Sequence, residues 1–245
     1  MVGGRIALQD DARHIDTALL GFTISPHEEC AVEEAVQLTE RLGGSVTVLT
    51  LGPPEAAEQL RAAVAVGAHQ AVLLETDRED FGPVATSQAI ADEVRRLEAE
   101  RGAPFDLLLF GNEAADTGDY QVGIRVAHAL GRPVATGIKH LEVDSRTALA
   151  GRSYRGTEEV FSLALPAVVT VKEGINLPRY PSLPGRMRAK KAVVATSTPE
   201  HRPEGLAMQA LRVPTVEHRS AQVLGHGAAA VPALVDLLVS LGVVE

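Results

Sequence analysis

Between Ser25 and Leu130 short apolar runs alternate with amphipathic stretches at a spacing that suits helices crossing between parallel strands. HEECAVEEAVQLTERLGG places Cys30, Ala31, Ala35, Leu38 and Leu42 three and four residues apart, with Ser25 as cap, Pro26 in the first turn and Gly43-Gly44 as the stop. SVTVLTLG then reads as a β-branched strand, and PEAAEQLRAAVAVG as a helix closed by Gly67. QAVLLETD repeats the strand, Pro83 to Gly102 the helix, and FDLLLFGNE is a further, very apolar strand. The chain has 245 residues, 45% of them hydrophobic but only 3% aromatic and none Trp, so its core must be built from Ala, Val and Leu. The expected class is α/β: a parallel doubly wound, Rossmann-like sheet of the kind that binds adenine nucleotides.

From Pro133 the texture changes. VATGIKHLEVD, TALAGRSYR, TEEVFSLAL and AVVTVKE are short alternating segments that read as antiparallel strands added to the parallel sheet. A region with Pro199, Pro203 and Pro214 follows as an extended arm, and VPALVDLLVSL as a last amphipathic helix. The expected division is 1–195 as the α/β domain and 196–245 as the arm and helix. No internal repeat is read. The opening MVGGRIALQDDARHID lacks the hydrophobic strand that normally precedes the first helix of such a domain, RIAL being too short.

Several function classes are disfavoured. A single cysteine, Cys30, leaves no disulfide framework or multi-cysteine metal site and suggests a reducing cytoplasm. No signal peptide is read, and no apolar run approaches the roughly 20 residues of a membrane span. A net charge of −9 argues against general nucleic-acid binding. His27, His69, His128 and His140 fall on different expected elements, with no HExxH spacing and no nucleophile elbow. Glu28-Glu29 and Glu33-Glu34 read as a solvated face and an acidic first turn.

Ligands of parallel α/β sheets sit beyond the carboxyl ends of the strands, beside helix N-termini. Three loops qualify: FTISPHEE, with Ser25, Pro26, His27 and Glu28; TLGPPEA, after the strand ending at Leu51; and GNEAADTGDYQVG. In the third, Gly111, Gly118 and Gly123 allow close backbone approach to a phosphate, and Thr117 and Gln121 add donors. Asp116 and Asp119 oppose a phosphate by charge, yet either could cap a helix or bond a ribose hydroxyl. A nucleotide loop and an ordinary strand-to-helix connection both remain open.

The stretch NLPRYPSLPGRMRAKKAVV gathers Arg179, Arg186, Arg188, Lys190 and Lys191 in an otherwise acidic chain. One reading is a solvated loop. The other is an interaction loop: Leu183, between Pro181 and Pro184 in extended backbone, enters a partner's pocket while the cations steer encounter.

CAVEEAVQL, GNEAADTGDYQVG, RGTEEVFSLALPAVVTV and above all NLPRYPSLPGRMRAKK resemble the β subunit of electron transfer flavoprotein, from about Ser25 to the C-terminus. The resemblance implies a heterodimer whose α subunit holds most of an FAD, an electron-carrier subunit and not an enzyme, with a structural AMP in this subunit. It implies AMP contacts from Ser25, Pro26, His27, Glu28 and Leu51, and from Glu113, Ala114, Ala115, Asp116, Thr117, Gly118, Asp119, Tyr120, Gln121, Val122, Gly123 and Ile124. It makes Leu183 the anchor that docks flavin-dependent dehydrogenases, flanked by Arg186, Met187, Arg188, Lys190 and Lys191. The 196–245 arm would pack on the α subunit. Two departures stand out: the missing opening strand, and Arg155, Thr157 and Phe161 where the family prefers acidic or aliphatic residues. A second FAD in place of AMP, or a nucleotide-dependent hydrolase or sensor of similar fold, is the alternative.

Overall fold

The computed structural model describes residues 7–17, 20–21, 23–77, 81–203, 205, 208–214 and 221–244. Two compact units appear, one within Thr17–Gln209 and one joining residues 7–16 to the chain beyond Ala210. In the smaller unit, Leu8 and Ile15 form an isolated antiparallel bridge, and the last helix, Val231–Ser240, buries none of its residues. RIAL lies partly outside the described residues.

In the larger unit the first helix, α1 (Pro26–Leu42), starts at a complete capping box: Ser25 Oγ accepts from the Glu28 N–H, and the Glu28 side chain reaches back to the Ser25 N–H. Gly43 ends it at a positive φ of 82°. The helices α2 (Ala57–Val66), α3 (Pro83–Arg101) and α4 (Val122–Leu130) end at Gly67, Gly102 and Gly131. The expected elements between Ser25 and Leu130 are therefore present, with a short 3-10 turn at Pro54–Ala56 ahead of α2.

Strands β1 (Thr47–Gly52) and β2 (Gln70–Glu75) pair in parallel, and β2 also pairs in parallel with the late strand β9 (Val194–Ser197). A second parallel sheet sets β3 (Leu107–Gly111) beside β8 (Ala167–Val171), with β4 (Val134–Ile138) on the far side of β8. Among the described residues, only β5 (His140–Val143), β6 (Thr147–Tyr154) and β7 (Thr157–Ala164) form an antiparallel sheet. This corrects the reading of all four segments after Pro133 as antiparallel: VATGI and AVVTV join the parallel sheet. β8 is buried along its whole length, as the central strand of a two-sided sheet must be. β1 and β3, each with one strand partner among the described residues, are only half-buried.

Helix α1 serves both parallel sheets. Cys30, Ala31 and Leu38 pack with Ala135, Ile138, Val169 and Val171, while Val36 packs with Val46, Leu60, Val64 and Leu73. On another side α3 brings Ala89, Ile90 and Val94 against Leu49 and Leu51 of β1 and Leu108 and Phe110 of β3.

The basic stretch is not the extended loop expected. Leu183–Lys191 forms a helix, α5, with the Ser182 hydroxyl accepting from the Gly185 N–H at 3.2 Å. Pro184 is accommodated because the first turn has no use for its missing N–H. Gly185 and Ala189, four residues apart, are the buried pair, and α5 lies on α2 through them. A Cβ at position 185 would run into the Ala65 carbonyl oxygen, a backbone atom that cannot swing aside. Gly185→Ala should therefore prise α5 from α2 at a cost of about 2 kcal/mol or more. The check is a lowered urea midpoint together with faster proteolysis at Arg186 and Arg188.

Candidate functional site

The carboxyl ends of β3 and β8 meet the first turn of α1. At Gly111, the last residue of β3, a Cβ would lie 2.9 Å from Glu28 Cγ and 3.2 Å from His27 Cβ, so the strand end that leads into the Glu113–Ile124 loop lies directly against the start of α1. Leu51 packs on the same apolar cluster as Phe110 and Val122, which brings the third loop's strand end to that layer.

The two helix N-termini at this place differ. α1 is closed by its own capping box and carries Glu28 and Glu29 in its first turn, both unfavourable to an anion. α4 begins at Gln121 with no side-chain cap and no acidic residue in its first turn, so its leading N–H groups are the ones left for an acceptor. The Nδ1 of His27 is buried without a hydrogen-bond partner.

The loop between β3 and α4 is held from within. The Ala114 N–H donates to the Asp119 carbonyl (2.9 Å), the Gly118 N–H to the Ala114 carbonyl (2.8 Å) and the Thr117 N–H to Asp116 Oδ1 (2.8 Å). Gln121 is engaged on both sides, donating to Asp119 at 3.1 Å and accepting from Arg125 at 2.8 and 3.0 Å. Tyr120 is exposed, and its hydrogen bond to Glu113 pushes its phenol pKa up. Ala115 adds no polar side chain.

Gly123 has a packing role that the sequence reading did not assign. A Cβ there would meet Thr170 Cγ2 at 2.7 Å and Phe110 Cγ at 3.2 Å, so the absent side chain lets α4 settle on β3 and β8. Thr170 belongs to a buried polar group that sequence reasoning missed: its hydroxyl donates to Asn112 Oδ1 (2.8 Å) and accepts from the Gly137 N–H (3.2 Å). The one available signal was a lone hydroxyl in AVVTV and an amide straight after an apolar strand. A shallow groove of about 450 Å3 between α3 and α4 takes in only Gln121 and Ile124 of the expected residues. Among the described residues no group of three His, Cys, Asp or Glu side chains is placed to hold a metal.

The segment from Asn176 to Lys191 is tied to α1. Asn176 Nδ2 donates to the Cys30 carbonyl and to Glu34 Oε2, both at 3.0 Å. Arg179 forks between the buried Glu33 (2.9 Å) and the exposed Glu40 (2.6 Å). Arg179 is thereby removed from the set of free cations. Arg186, Arg188, Lys190 and Lys191 are exposed, with no ion pair among the described residues, and Leu183 and Met187 are 75% and 51% exposed.

Two measurements probe these arrangements. Gly123→Ala should destabilise by about 1–3 kcal/mol, as overpacking does. Adding Thr170→Ser, which deletes the clashing methyl and keeps the hydroxyl, should recover a good part of that loss in a double-mutant cycle. Burial raises the Glu33 pKa, but hydrogen bonds from Arg179 and Gln37 outweigh it and hold the carboxyl below its ordinary value. A lowered folded-state pKa adds stability above the ordinary glutamate range, lost as pH falls through the folded value. The wild-type advantage over Glu33→Gln in urea unfolding should thus be full at neutral pH and shrink as acid titrates the Glu33 carboxyl below the ordinary glutamate range.

A family model described as the electron transfer flavoprotein domain matches residues 14–201. The electron transfer flavoprotein subunit beta of Bacillus subtilis is 43% identical over 69% of this chain and 65% of that protein. That of Syntrophomonas wolfei is 35% identical over 79% and 73%, and Protein FixA of Bradyrhizobium diazoefficiens 36% identical over 70% and 60%. The chain spans about two thirds of the length of the curated relatives it matches. The match runs through α1, the β3–α4 loop and the antiparallel strands, and the chain belongs to the β-subunit family of electron transfer flavoproteins.

Proposed function

We propose that this chain is the β subunit of a heterodimeric electron transfer flavoprotein, which carries electrons in the cytoplasm between flavin-dependent dehydrogenases and a downstream acceptor. The observation that carries this reading is α5: a helix held to α2 by Gly185 and Ala189, turning Leu183, Met187 and four cations outward that have no ion pair among the described residues. Such a surface has no role in the fold. It suits encounter with an acidic partner followed by burial of an apolar anchor.

In this reading the α subunit holds most of the FAD, and an AMP lies where Ser25–Glu28, Leu51 and Glu113–Ile124 converge. The uncapped start of α4 suits its phosphate and the unpaired His27 Nδ1 a polar group of the nucleotide. AMP supplies rigidity there and takes no part in redox chemistry. The two parallel sheets, bridged by α1 and α3, are read as halves of one doubly wound sheet. Residues 196–245 form the arm that packs on the α subunit. Val231, Leu234, Val235 and Val239 of the last helix, α6 (Val231–Ser240), are about half exposed and give that contact its apolar surface.

Co-expression with the α subunit tests the assignment. The purified heterodimer should release FAD and AMP in equal amounts, and this chain alone should carry almost no flavin absorbance. Twice as much FAD with no AMP would replace the structural nucleotide by a second flavin. Stoichiometric FAD on the isolated chain would overturn the division of cofactors.

A further inference from the structure

NLPRYPSLP, residues 176–184, consists of three consecutive triplets: a polar residue, a large apolar residue and a proline. Repetition at three residues is the period of polyproline II, a helix with three residues per turn and no internal backbone hydrogen bonds. Each apolar residue precedes a proline, which biases Leu177 and Tyr180 towards that conformation, while Leu183 opens α5. Ser182 has φ −68° and ψ 162°, and no backbone N–H from Leu177 to Pro181 donates to a backbone carbonyl among the described residues.

The three positions of the triplet face three ways. Of the first set, Asn176 and Arg179 point inward and are bonded, Asn176 to α1 and Arg179 to Glu33 and Glu40, while the exposed Ser182 caps α5 by accepting from the Gly185 N–H. The prolines form a second edge, with Pro178 and Pro181 half-buried. The third set points out: Leu177 is 89% exposed, Tyr180 94% and Leu183 75%. Such exposure of three large apolar side chains in register does nothing for the stability of this chain.

We propose that Leu177, Tyr180 and Leu183 form one docking row, so that Leu183 is the last of three anchors and not a solitary one. This rests on the docking role proposed above. The occupant is a flavin dehydrogenase presenting an apolar slot about 19 Å long, six residues at the polyproline rise. Carboxylates line the end that meets Arg186, Arg188, Lys190 and Lys191, the unpaired cations continuing from the row on α5. Tyr suits an anchor position because it offers much contact area with few rotatable bonds. These bonds lower the cost of ordering the row on binding, since Asn176 and Arg179 hold it to α1 and Ser182 fixes the start of α5.

The test uses the FAD-containing heterodimer and a dehydrogenase that reduces it, with the heterodimer as the varied substrate. Tyr180→Ala and Leu177→Ala should each raise KM about fivefold, in line with the truncation of an interface anchor. Flavin content, kcat and the urea midpoint should stay at wild-type values, because neither side chain packs within the fold. If Leu183→Ala raises KM and the other two leave it unchanged, the row is overturned and a single anchor stands. If none of the three changes KM, the docking role of the whole segment falls with it.

Discussion

Helix α1 must fit two neighbours at once, and most of the larger unit follows from that constraint. One stripe, Cys30, Ala31 and Leu38, belongs to the cluster around β8, while Val36 belongs to the cluster around β2. A helix with a single apolar stripe would leave one sheet uncovered. The small residues at these contacts, with alanine and cysteine in place of aromatics, let α1 sit close to both. Its capping box fixes where the helix begins, and that point lies against Gly111. The third side of the same helix carries Glu33, Glu34 and Glu40, which hold the segment after β8. The start of α1 thus lies against one side of the candidate nucleotide site, and another face of the same helix holds the candidate docking segment.

Electrostatics divide that segment in two. Arg179 faces a buried carboxylate, so its charge is compensated locally and contributes little at a distance. The four cations of α5 have no such partner among the described residues, in a chain whose net charge is −9. Their field reaches about 8 Å into solution at physiological ionic strength. A basic spot on an acidic body orients an approaching acidic protein more sharply than a uniformly basic one would, because every other approach is repelled.

The stretch from Ser25 to Leu130 was legible because each element carries its own start and stop: Ser25 and Pro26, Gly43, Gly67, Gly102. Beyond Pro133 that local code runs out. Five residues of VATGI or AVVTV state that a strand forms but not its direction, which is set by partners far along the chain. The continuous burial of AVVTV was the available hint, since an unbroken apolar run suits a central parallel strand. Helix α5 was missed because its buried face is one glycine and one alanine, too small to register as an apolar stripe. Gly123 was chosen for closeness to a ligand, whereas the closeness it provides is to Thr170 and Phe110. The triplets of NLPRYPSLP escaped a search for repeats because three residues is neither a strand nor a helix period.

Those triplets give the segment something like a reading frame. Loss or gain of a whole triplet would shorten or lengthen the row and leave the inward polar positions facing α1. Loss of one residue within it would turn the ribbon by a third of a revolution. Prolines would then point at Glu33 and Glu34, leaving Glu33 with Gln37 as donor but without Arg179, and Glu34 without Asn176, and Arg179 would face solvent. A change of length by any number of residues other than a multiple of three would thus break the bonds on the hidden edge of this segment, even where the exposed row kept its composition.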